Sequence, residues 1–194
     1  MERTTESKEL TEAIDRLLDT PKRILIICIE GRAAAGKSTL GRMLAEKYTC
    51  NLFHTDDFFL RPEQRSPERF AVPGENIDHE RMVPEVLEKI VSGERFSYRP
   101  FDCSVMKPAD PVDVIPRRLN IIEGSYSMHP KFANYYDLKI FLDIDPKEQS
   151  RRIMVRDGEI KHKRFVEEWI PLEEKYLKAF KIKDVCDLTV NIKC

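Results

Sequence analysis

Apolar residues fall along the chain in two rhythms. Residues 24–29 (ILIICI), 119–123 (LNIIE) and 138–142 (LKIFL) are nearly continuous apolar runs rich in β-branched side chains. Such runs suit strands covered on both faces of a parallel sheet. Residues 51–55 and 188–192 read as two further short strands. Elsewhere apolar positions recur every three or four residues, the helical spacing. Leu10, Ile14, Leu17 and Leu18 share one face of a helix predicted over residues 7–19 and closed by Pro21. Leu40, Met43 and Leu44 point inward from a helix over residues 37–48, and a further helix spans residues 79–91, with Pro84 tolerated in its first turns. Asp145 caps a helix that takes Pro146 at its first position and runs to about residue 156. A charged break with a glycine follows over residues 157–164 (DGEIKHKR), then a helix over residues 165–180.

Strands alternating with helices imply βαβ crossovers. The expected fold class is α/β: a three-layer αβα arrangement around a mostly parallel five-stranded sheet. Residues 1–20 form an N-terminal helix and residues 21–194 one domain. Residues 95–105 are rich in strand formers but interrupted by Pro100, which suggests an edge hairpin; the flap is placed at about 95–110 and a short helical lid at about 152–168. Residues 56–77, rich in Pro, Arg and Glu, read as an irregular connection lying over a site.

Charge narrows the function. There are 33 basic against 34 acidic residues, a net charge of −1. No global field draws the chain to nucleic acid or an acidic membrane, so anion binding has to be local. Five cysteines include no C-x-x-C spacing, which argues against a disulfide framework or zinc knuckle, and Cys28 inside an apolar run reads as a core residue. No apolar run approaches the roughly 18 residues of a membrane span, and the first 19 residues lack the apolar core of a secretion signal. A cytoplasmic location is expected, with no membrane or nucleic-acid partner. Homo-oligomerisation is left open.

One motif carries chemistry. Gly31-Arg32-Ala33-Ala34-Ala35-Gly36-Lys37-Ser38, continued by Thr39, fits G-x-x-x-x-G-K-[ST] at every position. An apolar strand precedes it and an amphipathic helix follows. The glycines let backbone N–H groups curl around phosphate oxygens, and the helix start adds its positive dipole end. Lys37 reaches the β- and γ-phosphates of ATP, and Ser38 offers its hydroxyl to Mg²⁺. The acidic end of the second strand, Asp56-Asp57-Phe58-Phe59, supplies a carboxylate able to deprotonate an acceptor hydroxyl and to approach the metal. Glu123, at the end of LNIIE, is a second metal-holding acid. Arg152 and Arg156 lie at i and i+4 on one face of the lid helix, suited to neutralising a transferring phosphoryl group. His129 and His162 are single histidines expected at the surface, whereas Trp169, Tyr176 and Phe180 at helical spacing read as core or lid hinge.

Together these residues resemble the uridine kinase and phosphoribulokinase family over residues 24–192. The shared markers are the P-loop, DDFF (56–59), NIDHERM (76–82), YRPFDC (98–103), IIEG (121–124), DLKIFLD (137–143) and RRIMVRD (151–157). Nicotinamide riboside kinases are similar in the DDFF form. The resemblance implies an ATP-dependent kinase with Asp56 as base, Asp78 gripping ribose hydroxyls, Phe59 beside a nucleoside and Arg156 on the phosphates. Two departures stand out. Phe101-Asp102-Cys103 and Met106 replace the family's Y-D-F and a base-reading histidine, and Ile153 stands where a second lid arginine is usual. A hydroxyl acceptor of nucleoside-like class is therefore expected, with a sugar or pantothenate-like alcohol, or a regulatory ATPase without acceptor, as alternatives.

Overall fold

The computed structural model describes the backbone of residues 2–192 and the side chains of residues 8–192. Its centre is a five-stranded parallel sheet. The strands are β1 (Leu25–Gly31), β2 (Asn51–His54), β7 (Leu119–Glu123), β8 (Leu138–Ile144) and β9 (Leu188–Ile192), in the order β2-β7-β1-β8-β9. β1 lies at the centre, and all seven of its residues are buried. The reason for its uninterrupted apolar run is visible in the packing. Ile26 and Cys28 enter one core cluster while Leu25, Ile27 and Ile29 enter the other. Side chains alternate between faces and both faces are covered, so no position is left for water.

Helices α1 (Glu2–Leu18) and α2 (Lys37–Tyr48) cover one face through Leu10, Ile14 and Leu44. The other face is covered by α4, a helical run over residues 79–92, through Met82, Val86, Leu87 and Ile90, and by α6 (Ile170–Ala179) through Tyr176 and Leu177. A short α3 (Pro67–Ala71), capped by the Ser66 side chain, interrupts the long connection after β2. The α/β three-layer expectation holds, as do the strand positions to within two residues.

Several expectations fail for local reasons. Met43 is 62% exposed, because the buried stripe of α2 runs through Lys37, Gly41 and Leu44. Seating Lys37 against the sheet turns Met43 toward solvent. The flap is longer than predicted. It comprises β3 (Phe96–Tyr98) paired antiparallel with β6 (Val112–Val114), and β4 (Phe101–Asp102) paired with β5 (Lys107–Pro108). His129 is buried at 4% exposure, not at the surface. Its ring stacks on His79 at 4.8 Å with 17° between planes, and its Nδ1 accepts the Lys131 N–H at 3.2 Å. That contact puts the imidazole proton on Nε2, 3.7 Å from Glu75 Oε1, and His79 Nε2 lies 3.2 Å from the same carboxylate. His79 is thus hydrogen-bonded to Glu75 and stacked on His129, which joins the Glu75 turn to the residues after β7.

The predicted break at 157–164 reduces to one residue. Helix α5 (Pro146–Arg164) departs from helical geometry only at Gly158 (φ 78°, ψ 174°). Twelve residues of straight helix span about 18 Å, yet Ser150 Oγ lies 2.7 Å from His162 Nε2. The chain folds back at Gly158, and His162, expected at the surface, is held in the hairpin. A wide turn over Phe165–Trp169 then leads into α6. Tyr176 is fully buried, as the core reading expects, while Trp169 and Phe180 are half-buried and Trp169 packs against the Phe165 ring edge-on.

Gly124 locks two strand exits together. At φ 136° a Cβ there would sit 2.0 Å from Thr55 Oγ1, which donates to Ser125 O at 2.9 Å. Gly124→Ala should lower stability by about 2 kcal/mol or more, since both strain and contact oppose the methyl group. Equilibrium urea unfolding checks this; an unchanged midpoint would show that the exits of β2 and β7 are not constrained there.

Candidate active site

The carboxyl ends of β1, β2 and β7 converge. β1 ends in Gly31, whose missing Cβ is required: one would lie 2.3 Å from Leu142 O, on the neighbouring β8. The loop from Gly31 to Gly36 then turns into α2. Gly36 is the N-cap residue of α2 in left-handed geometry, without a side-chain cap, and the first turn carries no acid. A helix start normally satisfies its free N–H groups with a capping side chain. Here they are left for an external anion, the arrangement that binds phosphate. Arg32, Ala33, Ala34 and Ala35 form the loop; Ser38 and Thr39 stand exposed in the first helical turn.

Lys37 is buried at 8% exposure. Its Nζ donates to Gly31 O (2.6 Å) and Arg32 O (3.1 Å), and lies 3.4 Å from Ser125 Oγ. Asp56 sits just beyond β2, on the 3₁₀ turn Thr55–Phe58. Crowding by protein raises its carboxyl above the ordinary range; Lys37 opposes this, and Glu123 and Asp57 reinforce it. Glu123 is 2% exposed. Its Oε1 bonds His54 Nδ1, and its Oε2 is buried with no hydrogen-bond partner. A buried carboxylate oxygen without a partner is costly. A hard cation at that oxygen would remove the cost, and Asp56, whose carboxyl feels the Glu123 charge, and the exposed Ser38 hydroxyl are oxygen ligands of the kind Mg²⁺ takes. The residues present therefore fit Mg²⁺.

No protein-family model matches the chain. Solved structures do match its fold. A possible uridine kinase from Bacillus stearothermophilus superposes with a TM-score of 0.71 at 18% identity, covering 97% of this chain and 99% of that one. The phosphoribulokinase from Rhodobacter spheroides gives 0.60 at 14% identity over 88% and 70%. D-glycerate 3-kinase from Cryptococcus neoformans gives 0.59 at 15% identity over 97% and 94%. This chain has the P-loop kinase fold.

The connection after β2 and the flap meet beside the end of β2. Asp78 is fully buried. Its Oδ1 accepts the Arg81 N–H at 3.2 Å, capping α4, and its Oδ2 lies 3.3 Å from Arg61 Nε. Phe59 is half-buried and forms a backbone bridge with Ile77, which ties the Asp78 turn to the DDFF segment. Asp57 accepts from Tyr98 OH at 3.0 Å, joining the same segment to the flap. Phe101 is buried at 4% exposure, and Met106, with φ 54°, sits at the hairpin between β4 and β5. On the lid side, Arg152 bonds Glu148 (2.7 Å) and reaches Ala34 O of the P-loop at 3.5 Å. Arg156 instead pairs with Asp157 at 2.8 Å and lies over the Phe165 ring, so the structure does not bring it to the P-loop.

Four groups at this site escaped sequence reasoning. His54 positions Glu123. Ser125 bridges to Lys37. Glu30 is fully buried and accepts from Gly31 N–H (2.9 Å), Met128 N–H (3.0 Å) and Tyr176 OH (2.9 Å). Burial pushes its pKa up to about 7. Glu173, on α6, accepts from Ala33 N–H and Ser125 Oγ, both at 2.9 Å. An acid ending an apolar run was a readable signal for Glu30. Nothing near Glu173 in sequence sets it apart from the exposed acids of a helix.

His54 is raised above the ordinary imidazole range, first by its bond to Glu123. The folded chain thus keeps that proton to higher pH than the unfolded one. The pairing's stability is complete below the unfolded value and fades as pH climbs through the raised one. Glu123→Gln should return the His54 pKa toward its ordinary value. A ring-proton NMR titration checks this; an unmoved midpoint would assign the shift to some other group.

Proposed function

We propose that the chain is an ATP-dependent kinase that transfers the γ-phosphoryl group to a hydroxyl of a nucleoside-like small molecule. The observation carrying this reading is the meeting, at one sheet edge, of an uncapped helix start, a buried lysine and a carboxylate beyond the neighbouring strand. The first two suit a polyphosphate; the third is placed both to approach a metal and to take the proton of an acceptor hydroxyl.

In this reading the uncapped N–H groups at the start of α2, together with Lys37, hold the phosphates. Ser38, Glu123 Oε2 and Asp56 would hold Mg²⁺, which supplies charge neutralisation on the phosphate oxygens. Asp56 accepts the proton of the acceptor hydroxyl, whose oxygen forms the new bond to phosphorus as ADP leaves. Arg152, already at the P-loop, places positive charge beside the phosphates, and Arg156 joins it when the lid closes. The closed lid excludes water, which would otherwise compete as acceptor. The protein's contribution is positioning and fixed charge. Phe59, Phe101, Met106 and Asp78 are assigned to the acceptor pocket, and a cytoplasmic location suits the reading.

A second acceptor class has its own support. Asp78 already engages the Arg81 N–H and Arg61. Gripping a ribose diol requires Arg61 to swing aside, whereas a smaller alcohol, sugar or pantothenate-like, needs no such movement. The apolar Phe101 and Met106 also offer a base no hydrogen-bonding discrimination.

Two measurements test the proposal. ADP release should be stimulated at least tenfold by one compound in a panel of nucleosides, sugars, glycerate and pantothenate. Slow hydrolysis unaffected by any alcohol would mark a regulatory ATPase instead. Asp56→Asn should leave folding and ATP binding near wild type while kcat falls about 10²- to 10⁴-fold. The wild-type rate should rise with pH through a carboxyl pKa lying above the ordinary aspartate range, since Asp56 must be ionised to act. Wild-type kcat in Asp56→Asn would remove Asp56 from the base role.

A further inference from the structure

Helix α6 holds three successive residues of the P-loop. Gly31 is held by a relay: its N–H donates to Glu30 Oε1 at 2.9 Å, and Tyr176 OH of α6 donates to Glu30 Oε2 at 2.9 Å. The Arg32 guanidinium is paired with Glu174 of α6, Nη2 lying 3.3 Å from Oε2, and also with Asp143 at the end of β8. Ala33 donates its N–H to Glu173 Oε2 at 2.9 Å, while Glu173 Oε1 accepts from Ser125 Oγ at 2.9 Å. Ser125 in turn lies 3.4 Å from Lys37 Nζ. Glu173 and Tyr176 are one helical turn apart and face the same way. Glu173 is buried at 4% exposure and Tyr176 completely.

We infer that Glu173 is a positioning residue for the phosphate cradle, linking the P-loop backbone at Ala33 to the amine of Lys37 through Ser125. The inference rests on the kinase reading above and deepens it. A buried carboxylate is costly unless it is paired and hydrogen-bonded. This one meets that cost with a loop amide and a hydroxyl of the site itself. The amide it takes belongs to the loop that must curve around phosphate, and the hydroxyl it orients faces the lysine that must reach phosphate. Glu173 touches neither phosphate nor acceptor in this arrangement; it acts through Ala33 and Ser125. It also stands only four residues beyond Trp169, the last residue of the turn joining the lid to α6. The helix that bonds the loop thus continues directly from the helical hairpin that carries Arg152 and Arg156.

Glu173→Ala removes both hydrogen bonds. MgATP affinity by calorimetry, and the KM for ATP, should therefore weaken about tenfold or more in E173A. The KM for the acceptor should stay within about twofold, and circular dichroism should show the folded chain. E173Q, whose amide keeps an acceptor for Ala33 N–H and a partner for Ser125, should recover most of that loss. A merely structural carboxylate would lower the melting temperature without separating the two KM values. Ser125→Ala cuts only the relay to Lys37 and should weaken ATP binding about threefold, an independent reading should E173A fail to fold. Wild-type ATP affinity in E173A or in S125A, or equal loss in E173A and E173Q, overturns the inference while leaving the kinase reading intact. Absence of MgATP uptake by the unaltered chain overturns both.

Discussion

Lys37 is buried, and the acids of the site are gathered around it. The buried Glu30 and Glu173 and the exposed Asp56 all feel its charge, and in each the lysine opposes a raised pKa. Its own three contacts are two loop carbonyls and one serine hydroxyl rather than a carboxylate. The lysine is thus stabilised by a surrounding negative field without being locked into a salt bridge. A locked pair would have to break for a phosphate to be bound. A field of acids around weak neutral contacts lets the amine move from carbonyl to phosphate oxygen while staying within the same charge environment.

On the proposed kinase reading, the same field favours a nucleotide that brings a metal. Glu30, Asp56 and Glu173 each feel the charge of one lysine, and a fourth acid, Glu123, acts on Asp56 and pairs with His54. A bare polyphosphate entering beside four acids meets repulsion that the helix start and Lys37 only partly offset. Glu123 Oε2, buried and unpartnered, marks the point where a divalent cation relieves the acids and the phosphates together. Cradle, lysine and acids therefore make sense as one electrostatic unit.

Much of this was legible in sequence, and what was not has a common cause. The strand runs, the loop motif and the Asp145–Pro146 helix start depend on residues adjacent in the chain, and local physics governs them. Asp56 and Glu123 were legible because parallel topology delivers strand ends to one edge. Glu173 and Tyr176 contact groups about 140 residues away, Ala33 and Glu30, and no spacing rule reaches that far. Met43 was misjudged because helical periodicity gives a face only to within a residue, and seating Lys37 decided which one. His129 was misjudged because a lone histidine carries no local signature of burial; its partner His79 is fifty positions earlier.

The lid shows how a single residue alters such a reading. The composition of DGEIKHKR suggested an irregular charged break, but Glu, Ile and Lys are adequate helix formers, and only Gly158 leaves helical geometry. A loop there would give a floppy cover. A helical hairpin pinned by Ser150 and His162 gives a stiff one, carrying Arg152 and Arg156 on its first arm and continuing through the Phe165–Trp169 turn into α6 on its second. Stiffness matters because α6 grips the P-loop at Arg32 and Ala33. A flexible cover could open and close without the loop registering it. A stiff hairpin rooted in the helix that shapes the cradle makes the two geometrically dependent. The hairpin that carries Arg152 and Arg156 and the helix that bonds the phosphate loop are then one continuous piece of structure through Trp169.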